Sequence, residues 1–278
     1  GWTVKDFGCK EFDDDLIKSI KKFQKENGLK ADGLCGPGTY RRLVAKKESE
    51  DSSHKRFHCP NSDNNFIICD DKEIKIDWPK VLTYKDVGGL KLTKGYRRHS
   101  GKRDVKYFVN HWDVCLSSET CVKVLRKRGI SVHFCIDNDG TIYQLMDAND
   151  IAWHAGGSKW NADSIGVEIA NAYYPKYQNW YKKNGYGERP ILSGKKVHGK
   201  TLPDFLGFYD VQIEALKKLW ASISSFYDIP LCGPKISDSV DPDSVKGKFR
   251  GIINHYSLTK KKIDCAGLEI EELLKDIK

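Results

Sequence analysis

The sequence predicts an α/β domain built on a central sheet, preceded by a small helical unit. Three observations lead there. Short apolar, strand-like runs alternate with segments of helical apolar periodicity over residues 65–277. A polar run, Lys46 to Arg56, has no apolar periodicity and separates those segments from the first 46 residues. The composition, 39% hydrophobic and 31% charged over 278 residues, suits a packed core and one or two domains rather than a disordered chain. No apolar run approaches the ~18 residues of a membrane span, so no membrane insertion is expected. Gly1 to Asp6 lacks the charged-then-apolar pattern of a signal peptide. The net charge of +9 is a modest bias toward polyanions such as nucleic acid, anionic membrane or cell-wall polymer.

In the first unit, Asp13, Asp14 and Asp15 crowd a helix start, where acidic side chains suit the dipole. Leu16, Ile20 and Phe23 follow at helical spacing, and Gly28 stops the helix. A turn-rich stretch, Ala31 to Gly38, leads to a short second helix over Thr39 to Ala45. Beyond the linker, strands are expected at Asn65–Asp70 and Val105–Val109, and Ser118 is placed to cap a helix running to Arg128, stopped at Gly129. Ser131–Ile136 and Thr141–Leu145 flank an Asp-Gly turn and read as a hairpin. Ser164–Ala170 has the look of a buried strand. Asp210 opens an amphipathic helix with Ile213, Leu216, Leu219, Trp220 and Ile223 as its stripe. A last strand is expected at Arg250–Asn254 and a last helix at Leu268–Ile277. The Tyr-, Lys- and Gly-rich segment 174–208 reads as a long surface insertion near the site.

Nine cysteines and no CxxC pair favour free thiols, although Cys115 and Cys121 are spaced to close a small loop. Two histidines end similar apolar strands, in Phe108-Val109-Asn110-His111 and Ile252-Ile253-Asn254-His255. With Cys265 they would give zinc three ligands and leave a fourth position for water. A lone strand-end histidine is more often structural, and spacing alone leaves both readings open.

The motifs narrow the choice. Phe23-Gln24, Asn27-Gly28-Leu29, Asp32-Gly33 and Gly36-Pro37-x-Thr39 resemble the peptidoglycan-binding domain 1 family, a three-helix module that attaches to the bacterial wall. Val109-Asn110-His111, Val132-His133-Phe134, Trp153-His154-Ala155-Gly156 and Ser164-Ile165-Gly166-Val167-Glu168, with Asn254-His255 and Cys265-Ala266-Gly267, follow in order. Together they resemble the zinc-dependent N-acetylmuramoyl-L-alanine amidase family, which includes phage amidase-lysozymes and peptidoglycan recognition proteins. The resemblance implies a central mixed β-sheet flanked by helices (the amidase type 2 fold) with a zinc cleft on one face. The expected organisation is a binding module at 1–46, a linker at 47–60 and the catalytic domain at 61–278. Removing residues 1–46 is expected to weaken wall binding and to leave cleavage of a soluble muropeptide largely intact.

Carried over residue by residue, the resemblance makes His111 and His255 zinc ligands. Cys265 is the expected third ligand if Gly267 anchors the motif, and Asp264 is the alternative if Lys262-x-Asp264 is the matching string. Glu168 matches the family's general base, because the alternative tyrosine position holds Val132. Lys262 would steady an oxyanion, with its register in doubt. His154, Trp160 and Asn161 would contact substrate, Tyr173 could line the groove, and His133 reads as structural. The implied reaction is hydrolysis of the amide between N-acetylmuramic acid and L-alanine in bacterial peptidoglycan, whose glycan and stem peptide are the expected partners. A monomer is expected, acting on the wall after release from a phage or prophage host or after secretion. The competing class is a non-catalytic recognition protein. Nucleic-acid binding rests on net charge alone, since no zinc-finger or RNP pattern supports it.

Overall fold

The computed structural model describes residues 2–51, 59–62 and 65–277. After a 3₁₀ turn at Val4–Phe7, helix α1 spans Asp14–Glu26; Asp13 caps it by accepting the Leu16 N–H at 2.9 Å. Leu16, Ile20 and Phe23 are its buried stripe. Gln24 is buried between α1 and the following loop. Its Nε2 donates to Asp32 Oδ1, the Leu34 carbonyl and Thr39 Oγ1 at 2.8–3.0 Å, and its Oε1 accepts the Gly33 N–H at 2.9 Å. One amide thus accounts for why Gln, Asp-Gly and Thr recur at those offsets.

Helix α2 spans Pro37–Glu50, with proline at its first turn. It is longer than the expected Thr39–Ala45 and runs through the expected module boundary into the first residues of the linker. The extension is held from outside: Ser117 Oγ donates to Glu48 Oε1 at 2.6 Å, and burial pushes that carboxyl up to about 7. Ala45 is buried among Leu116, Tyr177 and Trp180 of the larger domain. Tyr174 Oη donates to the Asn27 carbonyl at 3.1 Å, and Lys176 Nζ to Asn27 Oδ1 at 2.6 Å. The helical unit is docked on the larger domain through these contacts. The rest of the expected linker includes residues 52–58, which lie outside the described residues.

The larger domain carries strands β1 (Val81–Leu82) and β2 (Tyr107–Trp112), helix α3 (Ser118–Arg128), β3 (Phe134–Ile136), β4 (Ile142–Gln144), β5 (Ser164–Ile169), helix α4 (Asp210–Tyr227) and β6 (Gly251–Asn254). The sheet order is β6-β2-β5-β3-β4-β1. Only the β3–β4 hairpin is antiparallel; the other neighbours run parallel, so the sheet is mixed. β2 and β5 are buried along their whole length, the pattern of central strands covered on both faces. On one face, Leu216, Leu219, Trp220 and Ile223 of α4 pack on Phe108, Ile165 and Val167. On the other, Val122 and Leu125 of α3 pack with Val132, Cys135 and Leu145. Ser117, one residue before the expected cap, accepts the Thr120 N–H, and Gly129 (φ 65°) ends α3.

Two expectations need correction. The last helix is a single turn, Ile270–Leu274. Segment 174–208 is not a surface loop: Tyr177, Trp180 and Tyr181 are buried. Arg189 lies between the Tyr181 and Tyr209 rings, 4.4 and 4.3 Å from their centroids. It donates to the Gly207 and Ala170 carbonyls at 2.8 Å and to Asn138 Oδ1. All nine cysteines are free thiols, Cys115 and Cys121 included. No helix among the described residues is long and apolar enough to cross a membrane.

Trp220 links the α4 layer to the sheet, donating its indole N–H to Asn110 Oδ1 at 3.0 Å, one residue before His111. Trp220→Phe keeps most of the packing but leaves that buried oxygen unpaired. The expected loss is about 1–3 kcal/mol of unfolding free energy, read by denaturant titration.

Candidate functional site

Parallel pairing sets His111 at the end of β2 directly beside Glu168 on β5, and His255 follows the end of β6, the other neighbour of β2. Three strand ends therefore present their side chains to one cleft. Asp264, returning from the loop after β6, completes it: its Oδ2 lies 3.0 Å from His111 Nδ1 and 3.0 Å from His255 Nδ1. One donor atom from each of the three buried residues falls within 4.8 Å of the others.

Cys265, the expected third ligand, does not join them. It is wholly buried in the core with Ala266 and Leu268, and burial pushes its thiol far above the range in which a thiolate forms. Adjacent residues face opposite ways here, so only one of the two can reach the histidines.

The hydrogen-bond network fixes which ring nitrogens carry the protons. Ser164 Oγ donates its single proton to the Trp160 carbonyl at 2.5 Å, so toward His154 Nε2, 3.1 Å away, it can only accept. Burial holds His154 well below its ordinary pKa and therefore neutral, which makes its Nδ1 a bare acceptor. His111 Nε2, 2.9 Å from that atom, must then be the donor. His111 is neutral as well, pushed down to about 4 chiefly by burial. Its Nδ1 consequently carries a lone pair aimed at a carboxylate oxygen 3.0 Å away. Two acceptors facing one another at that distance repel unless a cation lies between them. Two imidazoles and a carboxylate are donors that suit zinc, and the residues present fit such an ion.

Glu168 is buried beside this centre, with Oε2 lacking any partner among the described residues. Burial raises its pKa to about 7, with Arg41 opposing the shift. A carboxyl poised there can take up and release a proton near neutral pH.

The remaining expected residues divide. His154 lines the cleft and orients His111. Asn161 also lines it, and its Oδ1 accepts the N–H groups of His154 and Ala155 at 3.1 and 2.8 Å, fixing that loop. Lys262 is exposed at the rim. Trp160 is not among the cleft-lining residues: its ring packs on the cluster around Tyr107 and Ile253, and its indole N–H is taken by the Val245 carbonyl at 3.2 Å. Tyr173 lines the cleft and stacks on Phe205, 5.2 Å between centroids. His133 is occupied by backbone on both nitrogens, the Gly166 N–H and the Asp150 carbonyl. Sequence reasoning missed the exposed Trp153 as a lining residue, and Arg41 and Arg42, which reach the cleft from α2. No local signal marks the two arginines, because the contact crosses modules.

Two histidines, a carboxylate and an unpartnered buried glutamate at the ends of parallel strands form a centre suited to metal-assisted hydrolysis. The chain belongs to the N-acetylmuramoyl-L-alanine amidase family, whose profile matches residues 101–264. A putative peptidoglycan binding domain matches residues 6–43. Among solved structures, the chain is similar to the E. coli N-acetylmuramyl-L-alanine amidase AmiD, with 20% identity over 69% of this chain and 66% of that one, at a TM-score of 0.42. It is similar to AmpDh3 from Pseudomonas aeruginosa with 21% identity over 67% and 65%, at a TM-score of 0.40. It is also similar to the Clostridium intestinale endolysin LysCS, with 17% identity over 72% and 95%, at a TM-score of 0.40. The chain thus spans just under two thirds of the AmiD and AmpDh3 chains. No curated protein matches it.

Gly166 explains one glycine of the motif. A Cβ there would sit 2.5 Å from His154 Nδ1, the atom that receives the His111 proton. Gly166→Ala should therefore keep the fold but displace His154, with metal retention weakened about 10–100-fold, as is usual when a ligand loses its orienting partner. Competition with a graded chelator reads this directly.

Proposed function

We propose that this chain hydrolyses the amide bond between N-acetylmuramic acid and L-alanine in bacterial peptidoglycan, with zinc bound by His111, His255 and Asp264. The observation that carries the reading is the convergence of His111 Nδ1 and His255 Nδ1 on Asp264 Oδ2 at 3.0 Å, beside Glu168 with an unpartnered Oε2, in a chain of this family. Zinc in that position supplies a Lewis acid and lowers the pKa of water. Glu168 takes the proton of the attacking water and returns it to the alanine amine that leaves. His154 holds His111 in the required tautomer, and Asn161 holds the His154 loop. Lys262, at the rim, adds positive charge on the side where the carbonyl oxygen gains its negative charge. The peptidoglycan-binding match supports the wall polymer as substrate. It suits an enzyme released onto the wall, from a phage or prophage or by secretion.

The test is digestion of purified peptidoglycan with the full chain, with chelator and with zinc restored, scoring new N-terminal alanine. Alanine amines that disappear with chelation and return with zinc are the expected result. Binding without release would place the chain with recognition proteins, and new reducing ends would place it with glycosidases. Asp264→Asn should lose bound zinc and activity together, while Cys265→Ser should retain the metal; elemental analysis of the two variants decides between the adjacent candidates. Glu168→Gln should keep the metal and lose about 10²–10⁴-fold in rate, measured on a soluble muropeptide.

A further inference from the structure

The cleft, of about 880 Å³, is not built by the catalytic domain alone. One wall is the helical module: Leu29 and Pro37 line it, followed by Arg41 and Arg42 from the first turns of α2. The two arginines differ in their commitments. Arg42 Nε donates to Tyr174 Oη at 3.0 Å, and its guanidinium lies 4.6 Å over that ring, so it fastens the module to the domain. Arg41 is partly buried in the cleft wall, and among the described residues its guanidinium makes no hydrogen bond or ion pair. Burial alone would lower its pKa, but Glu168, the foremost of several acidic groups, raises it, so the charge stays on. No ion pair joins Arg41 to Glu168, so the guanidinium looks across the cleft toward the base without neutralising it. A charge drawn out of water with no partner is unfavourable unless a ligand completes it.

The chemistry of the proposed substrate says which part can do so. In an N-acetylmuramoyl-L-alanine amide, the muramic acid carboxyl is consumed in the bond to be cut. The sugar side then offers only hydroxyls, an acetamide and an ether, and free carboxylates belong to the peptide. A guanidinium fork matches a carboxylate in two parallel hydrogen bonds. We infer that the helical module is a fixed wall of the active-site cleft, and that Arg41 binds a free carboxylate of the stem peptide. The peptide then lies under α2, and the glycan leaves on the opposite side of the cleft. Arg128, Lys261 and Lys262, also on the lining, give the same cleft a basic rim.

The inference rests on the amidase reading, and its test keeps the two apart. Full-length, zinc-loaded protein is assayed on two soluble muramoyl-L-alanyl peptides, one with free carboxylates and one with them amidated. Wild type should prefer the free acid by about 10–100-fold in kcat/KM, mostly through KM, as expected for a charge-assisted bidentate contact. Arg41→Gln should raise KM for the free acid toward that of the amide, leave KM for the amide near wild type and keep the zinc content, while the altered Glu168 changes kcat equally for both substrates. Arg41→Lys should recover part of the preference. A wild-type preference that survives Arg41→Gln would overturn the inference. So would an equal rise in KM on both substrates, which would mean that Arg41 acts through Glu168 or the fold. Calorimetric titration of the free-acid peptide into Glu168→Gln, with and without Arg41→Gln, reads the contact apart from turnover. If wild-type protein releases no alanine from either peptide while that titration still depends on Arg41, the amidase reading fails and the carboxylate contact stands. If the titration is also independent of Arg41, the contact fails as well.

Discussion

The site depends on one carboxylate oxygen. Asp264 Oδ2 stands 3.0 Å from Nδ1 of both His111 and His255, and both imidazoles are buried. Burial of His111 favours its neutral form, which has one proton to place. The proton of His111 is committed to His154 by a chain that ends at the Trp160 carbonyl. What remains toward Asp264 is a lone pair, so the centre is organised around a positive charge. A string of ordinary hydrogen bonds, read from its far end, sets the chemistry of the near end.

The sheet makes that arrangement possible. Parallel pairing of β5, β2 and β6 brings Glu168, His111 and His255 to one edge, at the carboxyl ends of the strands, where open α/β sheets present their crevices. These strands are buried on both faces, between α3 and α4, and Trp220 anchors Asn110 from below. Gly166 leaves the space into which His154 leans. Buried strands thus carry or lead into three of the groups that meet in the cleft, and the loops carrying Asp264 and His154 are each pinned by specific bonds.

The docked module changes how the two halves of the chain relate. α2 buries Ala45 against the larger domain and exchanges hydrogen bonds with it through Glu48, Arg42 and Asn27. A module held in this way is itself part of the cleft wall, through Leu29, Pro37 and Arg41, and Arg42, which helps seat it, adjoins the residues that reach into the cleft.

Taken alone, the sequence determined the class of fold and the order of its main elements, and it singled out His111, His255 and Glu168, which the structure brings to one cleft. Turn chemistry and apolar periodicity are local, so α1, α3, the β3–β4 hairpin and α4 were legible within a few residues. His111, His255 and Glu168 were legible because each sits in a motif whose strand can be recognised from its own residues. Other features required the tertiary structure. Asp264 and Cys265 are neighbours in the chain, and sequence spacing cannot say which faces the histidines; the path of the loop after β6 turns one to the cleft and the other to the core. Trp160 carries the aromatic signature of a groove residue, yet its indole N–H is taken by the Val245 carbonyl. The reach of α2 past Ala45, and Arg41 in the wall of the cleft, depend on contacts between segments far apart in the chain. Such contacts leave no periodicity to read, because the partner that stabilises the helix end or faces the guanidinium is supplied only when the two modules pack.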